Sequence, residues 1–446
     1  MRRLFGTDGI RGTANCHPMT PEVALRVGRA VARLLNADRI AIGQDTRLSG
    51  DMITHALVSG ICSAGADVEL LGVLPTPGIA VLTRVGKAAA GIVVSASHNP
   101  YQDNGIKIFG ADGFKLPDEA EAAIEAAVLA GPSVDDSSSA DHRIGRVRVH
   151  TDAEAVYADF LRACIPAPPG SNHLKIVLDC ANGAACRVAP QVFADRGSHL
   201  EALNVHPDGF NINRDCGSQH LEGLKQTVMQ ARADVGLAFD GDGDRLIAVD
   251  ETGATVSGDR ILAICAEYLH RCGRLGNDTV VSTVMSNAGL GKALRGMGLR
   301  HVLTPVGDRH VMEAMRREGA VLGGEDSGHL ILAERHTTGD GLLTGLLLLD
   351  IMHAERKPLS QLKSIMTPFP QVLLNVAVRS KPSLEEVPEI CSAVRKAESE
   401  LGADGRVLIR YSGTEPLCRV MVEGPAKEQT EGICSALAET VRAVIG

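Results

Sequence analysis

The sequence predicts an α/β protein of four domains, three α/β units followed by a smaller α+β one, on three observations. First, helical spacing alternates with short apolar runs that end in polar loops: residues 21–35 follow a Thr20 cap, and the strand-like 40–42 runs into Gly43-Gln44-Asp45. Second, the plan recurs. Residues 52–64 and 68–71 repeat it, and 91–94 runs into Ser95-Ala96-Ser97-His98, so the first unit reads as doubly wound or similar. Third, 446 residues exceed one hydrophobic core, and the chain is punctuated at 131–140, rich in Ser, Asp, Gly and Pro, and at Met366-Thr367-Pro368-Phe369-Pro370. The expected domains are 1–150, 151–253, 254–366 and 367–446.

The second unit opens with a strand at 175–178, turns through Asp179-Cys180-Ala181-Asn182-Gly183 and reaches a buried strand at 235–239. The third begins near Gly258 with a helix at 260–270 and a strand at 279–283. The last alternates strands at 373–378, 406–410 and 419–422 with helices near 385–400 and at the end.

Composition narrows the function classes. Lys and Arg number 45 against 54 Asp and Glu, a net charge of −9, and Trp is absent. Extended nucleic-acid binding needs a basic surface and usually stacking rings, so no nucleic-acid partner is expected. Eleven cysteines without a C-x-x-C pair fit reduced thiols. The apolar run 342–349 is too short to span a bilayer, and no apolar signal core follows Met1-Arg2-Arg3. A cytoplasmic protein with no membrane partner is expected.

Asp240-Gly241-Asp242-Gly243-Asp244-Arg245 follows the apolar strand 235–239, and three carboxylates at alternate positions repel one another unless a cation offsets them. An EF-hand is excluded, because Arg245 stands where that loop needs glycine and strand-like 246–249 replaces its helix. Ser95-Ala96-Ser97-His98-Asn99-Pro100 precedes a loop, Asn104-Gly105-Ile106-Lys107, rich in polar groups. Either it is a structural turn or Ser97 is a nucleophile or phosphate carrier, activated by His98, Lys107 or the metal. No G-x-S-x-G elbow supports an esterase.

Arg410-Tyr411-Ser412-Gly413-Thr414-Glu415-Pro416 with Arg419 offers guanidinium forks and hydroxyls suited to a phosphate, against a surface turn with incidental arginines. Gly323-Gly324-Glu325-Asp326-Ser327-Gly328-His329 suits sugar hydroxyls, or is a plain loop. The Phe5 to Gly12 and Gly43 to Arg47 turns divide evenly between ligand contact and structure. Cys180, Cys186 and Cys216 with His206 or His220 meet no zinc spacing. One metal triad, one serine, one phosphate cradle and one sugar-like loop, each in its own domain around one cleft, point to phosphoryl transfer on a phosphosugar.

Residues 95–100, 240–245, 324–329 and 410–416 resemble the four signature loops of the α-D-phosphohexomutase superfamily, over nearly the whole chain. Residues 5–12, 207–213 with 216–218, 283–287, 306–309 and 337–341 resemble its bacterial amino-sugar branch more than its mannose or glucose branches. The resemblance implies that Ser97 is carried as a phosphoserine and binds one Mg2+ per subunit beside Asp240, Asp242 and Asp244. It implies a glucosamine phosphate as substrate, isomerised through a 1,6-bisphosphate, with a glucosamine or glucose 1,6-bisphosphate as activator and a homodimer as the assembly.

By the same resemblance Arg11, Lys107, His98 and Arg245 serve the transfer, with Lys107 the first choice of general acid or base. Glu325, Ser327 and His329 bind the sugar, and Arg410, Ser412, Gly413, Thr414 and Arg419 hold the phosphate that is not reacting. The chain departs from the family pattern at Gln44, Gln219 and Asp326, and Asp326 adds a charge beside the sugar loop. Two other readings share these motifs: a mutase of the mannose or glucose branch, and a silent phosphosugar-binding regulator.

Overall fold

The computed structural model describes residues 4–6, 8–131, 143–168, 170, 173–402, 405–412 and 416–446. Most of the expected linker at 131–140, together with Gly413 and Thr414, lies outside the described residues. The chain forms two compact units, Met1–Val284 with Val302–Lys363, and Met285–His301 with Ser364–Gly446.

The first strands are β1 (Phe5–Gly6), β2 (Gly9–Thr13), β3 (Arg39–Gln44), β4 (Asp67–Val73), β5 (Ala90–Val94), β6 (Asp103–Gly110) and β7 (Val147–Val149), ordered β1-β2-β6-β5-β3-β4-β7 in one sheet. The section β5-β3-β4-β7 is parallel, as a doubly wound unit requires. The other part differs from the expectation. β6 runs antiparallel to both β5 and β2, and it contains residues 104–107, expected as loop. Asn104-Gly105 carries a turn signal, yet Ile106 and Ile108 are needed in the core beside Ile10 and Ile92, and that burial overrides the local preference. Lys107, between them, points to the opposite face.

The second sheet joins β8 (Leu174–Asp179), β9 (Gly197–Leu203), β10 (Val235–Phe239), β11 (Leu246–Asp250) and β12 (Thr255–Val256) in the order β12-β11-β10-β8-β9. β10 and β11 form an antiparallel pair registered from Phe239↔Leu246 to Val235↔Asp250, so the aspartate loop is the hairpin connection. The third sheet, β14-β13-β15-β16, consists of β13 (Thr279–Thr283), β14 (Arg300–Thr304), β15 (Leu322–Gly324) and β16 (Leu330–Leu332). The run 342–349 lies in the helix Gly341–Glu355, which buries nearly its whole circumference. No helix among the described residues is long and apolar enough to cross a membrane.

The second unit carries β17 (Gln371–Ala377), β18 (Arg406–Tyr411) and β19 (Leu417–Glu423), an antiparallel sheet ordered β17-β19-β18, with the helices Pro388–Leu401 and Lys427–Ile445. Its other segment, 285–301, is tied in through Asn287, whose amide donates to the Phe369 carbonyl at 3.0 Å while its oxygen accepts from Phe369 N at 2.8 Å. The buried Glu423 accepts from Ala288 N at 3.0 Å and pairs with Arg406 at 2.8 Å.

Candidate active site

The loop after β5 delivers Ser97, buried and in left-handed backbone conformation (φ +53°), a geometry that costs a non-glycine residue roughly 1 kcal/mol or more. A single buried guanidinium restrains it. Arg47, paired with the buried Asp45 at 2.8 Å, donates to the carbonyls of Ser97 and Asn99, each at 2.8 Å, and to those of Pro100 and Asp103. Asn213 Nδ2 reaches the same Ser97 and Asn99 carbonyls at 2.9 and 3.0 Å. Of the two roles open for Gly43 to Arg47, this is the structural one.

Ser97 Oγ donates to Asp240 Oδ2 at 2.6 Å and lies 3.4 Å from His98 Nδ1. The two loops meet this closely because position 241 is glycine: a Cβ there would stand 2.6 Å from the Ser97 carbonyl oxygen. Asp242 Oδ2 accepts from Lys107 Nζ at 2.9 Å and from Thr76 Oγ1 at 2.7 Å, and Asp244 Oδ2 lies 3.6 Å from the same ammonium. Arg245 Nε lies 3.9 Å from Asp240 and 3.7 Å from Asp244.

The triad fits a hard divalent cation. One oxygen from each of Asp240, Asp242 and Asp244 lies within 4.8 Å of the others, and Asp242 Oδ1 and Asp244 Oδ1 are buried yet accept no hydrogen bond among the described residues. Burial first, then the neighbouring Asp244 and Asp242 charges, push the Asp240 carboxyl well above the usual range. Burial opposes ionisation of Asp242 and Asp244, joined at Asp242 by the Asp244 charge; Lys107 with the Thr76 hydrogen bond at Asp242, and Lys107 with His329 and Arg245 at Asp244, together hold both below the usual range. Lys107 is fixed as an ammonium: burial disfavours its charge, and Asp242, Asp8 and Asp244 more than restore it. His98 is the opposite case, since burial and then Arg245 and Arg11 depress it to about 4.

A cavity of about 380 Å³ opens beside this cluster, lined by Asp8, Arg11, Arg245, Asp308, Glu325 and His329 among others. Glu325 and His329 arrive on the β15–β16 hairpin. Gly328 (φ +92°) lets the hairpin press against Leu246, whose carbonyl a Cβ at 328 would meet at 2.2 Å. Glu325 Oε1 accepts from Gly307 N at 3.1 Å, and its Oε2 from Ser327 Oγ at 3.3 Å. His329 Nδ1 lies 3.5 Å from Asp244. Asp326 is turned away, accepting from Asp259 N at 3.2 Å at the start of the helix Gly258–Arg271. Its charge is therefore spent on a helix N-terminus.

Arg410 and Arg419 belong to the second unit, where they are direct cross-strand partners of β18 and β19. Both arginines therefore lie on the same face of this sheet. Ser412 is buried beside them, and its carbonyl accepts from Lys381 Nζ at 2.6 Å. The thiols of Cys180, Cys186 and Cys216 are free, with burial pushing the last two to about 12, which suits core packing.

Asp8, Thr76, Lys115 and Asp308 also belong to the site, with nothing in the sequence to tie them to it. Asp8 and Asp308 stand in quoted motifs, but nothing local ties either to the aspartate triad. Lys115 and Thr76 carry no local signal, being recruited by contacts across the fold.

Behind the triad, Asp340 caps the helix Gly341–Glu355 by accepting from Leu343 N at 2.9 Å, and it accepts from Tyr157 OH at 2.9 Å. Gly341 N donates to Gly243 O, so this cap also braces the aspartate loop. Burial pushes the Asp340 carboxyl up to about 7. The folded state thus binds this proton more tightly than the unfolded chain: the stabilisation is complete below about pH 4 and is lost as pH rises through about 7. Asp340→Asn is expected to flatten the fall in melting temperature between pH 5 and pH 7 by about 4 °C, read by calorimetry. Equal slopes in the two proteins would mean that Asp340 ionises normally.

A buried serine touching a carboxylate cluster built for a cation, beside a polar cleft, defines a phosphoryl-transfer enzyme. Four family models match along the chain: the alpha/beta/alpha domains I, II and III of phosphoglucomutase/phosphomannomutase at residues 2–134, 155–253 and 257–369, and its C-terminal domain at 373–440. Phosphoglucosamine mutases of Syntrophus aciditrophicus and Syntrophobacter fumaroxidans are 51% and 52% identical, each aligned over 100% of both chains. A phosphoglucomutase/phosphomannomutase family protein of Burkholderia thailandensis superposes with a TM-score of 0.80 at 24% identity, over 99% of this chain and 98% of its own. The N-acetylphosphoglucosamine mutase of Aspergillus fumigatus, solved with GlcNAc-6P and magnesium, gives 0.70 at 18% identity, over 100% and 96%. The chain belongs to the phosphoglucomutase/phosphomannomutase family of phosphohexomutases, in its phosphoglucosamine mutase branch.

Proposed function

We propose that this chain interconverts glucosamine 6-phosphate and α-glucosamine 1-phosphate, with Ser97 as the phosphate carrier. The observation that carries the reading is the Ser97 Oγ to Asp240 Oδ2 contact of 2.6 Å at the edge of a cation-ready triad. The sugar's O1 attacks the Ser97 phosphorus in line. The Ser97 Oγ–P bond breaks as the new O–P bond forms, and the hydroxyl proton leaves to a neighbouring base. The resulting 1,6-bisphosphate turns over in the cleft, its 6-phosphate returns to Ser97, and glucosamine 1-phosphate departs.

Phosphoryl transfer demands alignment and charge neutralisation more than covalent help. Lys107, Arg11 and Arg245 supply fixed positive charge around Ser97, Lys107 through hydrogen bonds to the transferring oxygens rather than by proton exchange, and the neutral His98 is the proton acceptor. Asp240, Asp242 and Asp244, with a phosphate oxygen on Ser97, would hold Mg2+, which when bound polarises the phosphoryl oxygens. Glu325, Ser327 and His329 orient the sugar, and Arg410, Ser412, Gly413, Thr414 and Arg419 grip the distal phosphate.

We assign the four domains to 1–150, 151–253, 254–366 and 367–446, a division supported by the matched segments. The reading includes a cytoplasmic homodimer that feeds UDP-N-acetylglucosamine and envelope precursor synthesis, and activation by glucosamine or glucose 1,6-bisphosphate. The roughly 50% identical relatives named phosphoglucosamine mutase support the activity itself.

The test follows phosphosugars by phosphorus NMR with purified protein, Mg2+ and a trace of glucose 1,6-bisphosphate. Glucosamine 6-phosphate is expected to give glucosamine 1-phosphate at least tenfold faster than the glucose or mannose phosphates isomerise. Turnover of glucose or mannose phosphate alone would reassign the branch. No turnover on any of them, with Ser97 shown phosphorylated by mass spectrometry, would leave a phosphosugar-binding regulator.

A further inference from the structure

The cleft has a charged wall that the reaction above does not use. Lys115 Nζ bridges two carboxylates, Asp8 and Asp308, the latter at 2.5 Å. Asp8 Oδ2 in turn lies 3.2 Å from Lys107 Nζ and pairs with Arg11, while Asp308 Oδ2 lies 3.7 Å from His329 Nε2. His329 and Lys107 both reach Asp244. The contacts therefore close on themselves: Lys107, Asp8, Lys115, Asp308, His329 and Asp244 form one ring of polar side chains. Asp8 and Asp308 line the cleft, and Lys115, only 14% exposed at its side chain, stands behind them.

The segment around Lys115 is fastened at two further points. The Gly113 carbonyl accepts from Thr337 Oγ1 at 2.6 Å, and Arg309 pairs with Asp118 and, at 2.7 Å, with Glu121. Residues 113–121 thus tie the sheet that carries Lys107 to Arg309, next to Asp308, and to Thr337, just beyond the hairpin that carries His329. Arg309 and Thr337 act at a distance from the cleft, whereas Lys115 is the member that touches its walls.

We infer that Lys115 is a positioning residue for the transfer reaction, the shared counter-charge that lets Asp8 and Asp308 sit together and thereby aims Lys107 and His329. Without it two half-buried carboxylates face each other across one vacated site, next to a cleft that must admit a dianionic phosphate. The pair then repels the ligand and releases its hold on both neighbours. Arginine can keep both contacts. Methionine, of similar length and without charge, cannot.

The inference rests on the mutase reading, so wild-type turnover is measured alongside. Lys115→Met is expected to lower kcat/KM for glucosamine 6-phosphate by about 30-fold or more, with KM raised, and Lys115→Arg to stay within about fivefold of wild type. The double variant Lys115→Met with Asp308→Asn is expected to be no worse than Lys115→Met alone, because it removes the carboxylate left without its partner. A purely structural loss would not be relieved in this way. Wild-type kcat/KM in Lys115→Met, equal losses in the Met and Arg variants, or losses that add in the double variant would each overturn the inference. Absence of turnover in the wild type would instead overturn the mutase reading itself.

Discussion

Ser97→Ala is expected to abolish mutase turnover, by at least about 10⁴-fold, while the protein stays folded. The reasoning is geometric. Ser97 Oγ is the one hydroxyl in contact with Asp240 among the described residues, and no second serine stands ready to take over the phosphate, since Ser95 Oγ is committed to Asp45 at 2.5 Å. The backbone around position 97 is held by Arg47 and Asn213 through carbonyl oxygens, contacts that alanine preserves. The loop should therefore keep its shape, and melting temperature should fall by no more than a few degrees. Phosphorus NMR and a thermal melt on the same sample decide the matter. Turnover within tenfold of wild type would take Ser97 out of the reaction.

The second large effect is expected at the triad. Asp242→Asn keeps the shape of the side chain but removes a charge that pairs with Lys107 and that a cation held by the triad would need. A loss of about 10²- to 10³-fold in kcat should accompany it. In the wild type, adding Mg2+ to chelator-treated protein should raise the melting temperature, because a ligand that binds only the folded state stabilises it by mass action. In Asp242→Asn that increment should shrink or vanish. A full increment in the variant would show that the cation is held elsewhere.

The Asp240 to Arg245 loop was legible because its chemistry is local: three acids at alternate positions after an apolar strand leave few alternatives. The β10 strand was legible for the same reason, being a short apolar run with hard stops. Lys107 is legible as a candidate but not as a strand residue, because the Asn104-Gly105 turn signal is local and the pairing of β6 on both edges is not. Arg47 shows the limit from the other side. Its motif was visible, yet only the fold reveals that the guanidinium grips four carbonyls rather than a ligand. Lys115 and Asp308 are distant along the chain and meet only once the two sheets are in place, so no window of sequence could pair them. Asp326 drew attention by its charge, and the structure spends that charge on a helix start.

The discontinuity of the second unit bears on how the protein is made. The segment Met285–His301 is synthesised before Val302–Lys363, while the strands and helices it joins come last. Its helix, Ala288–Gly296, is nine residues long, below the roughly 12–15 at which an isolated helix is even marginally stable. During translation the contacts of Asn287 and Ala288 with Phe369 and Glu423 form only once those residues emerge. A ribosome that stops after residue 363 therefore leaves Asn287 and Ala288 without those contacts, whereas the last eighty or so residues bring their own buried core, from Val376 to Ile445.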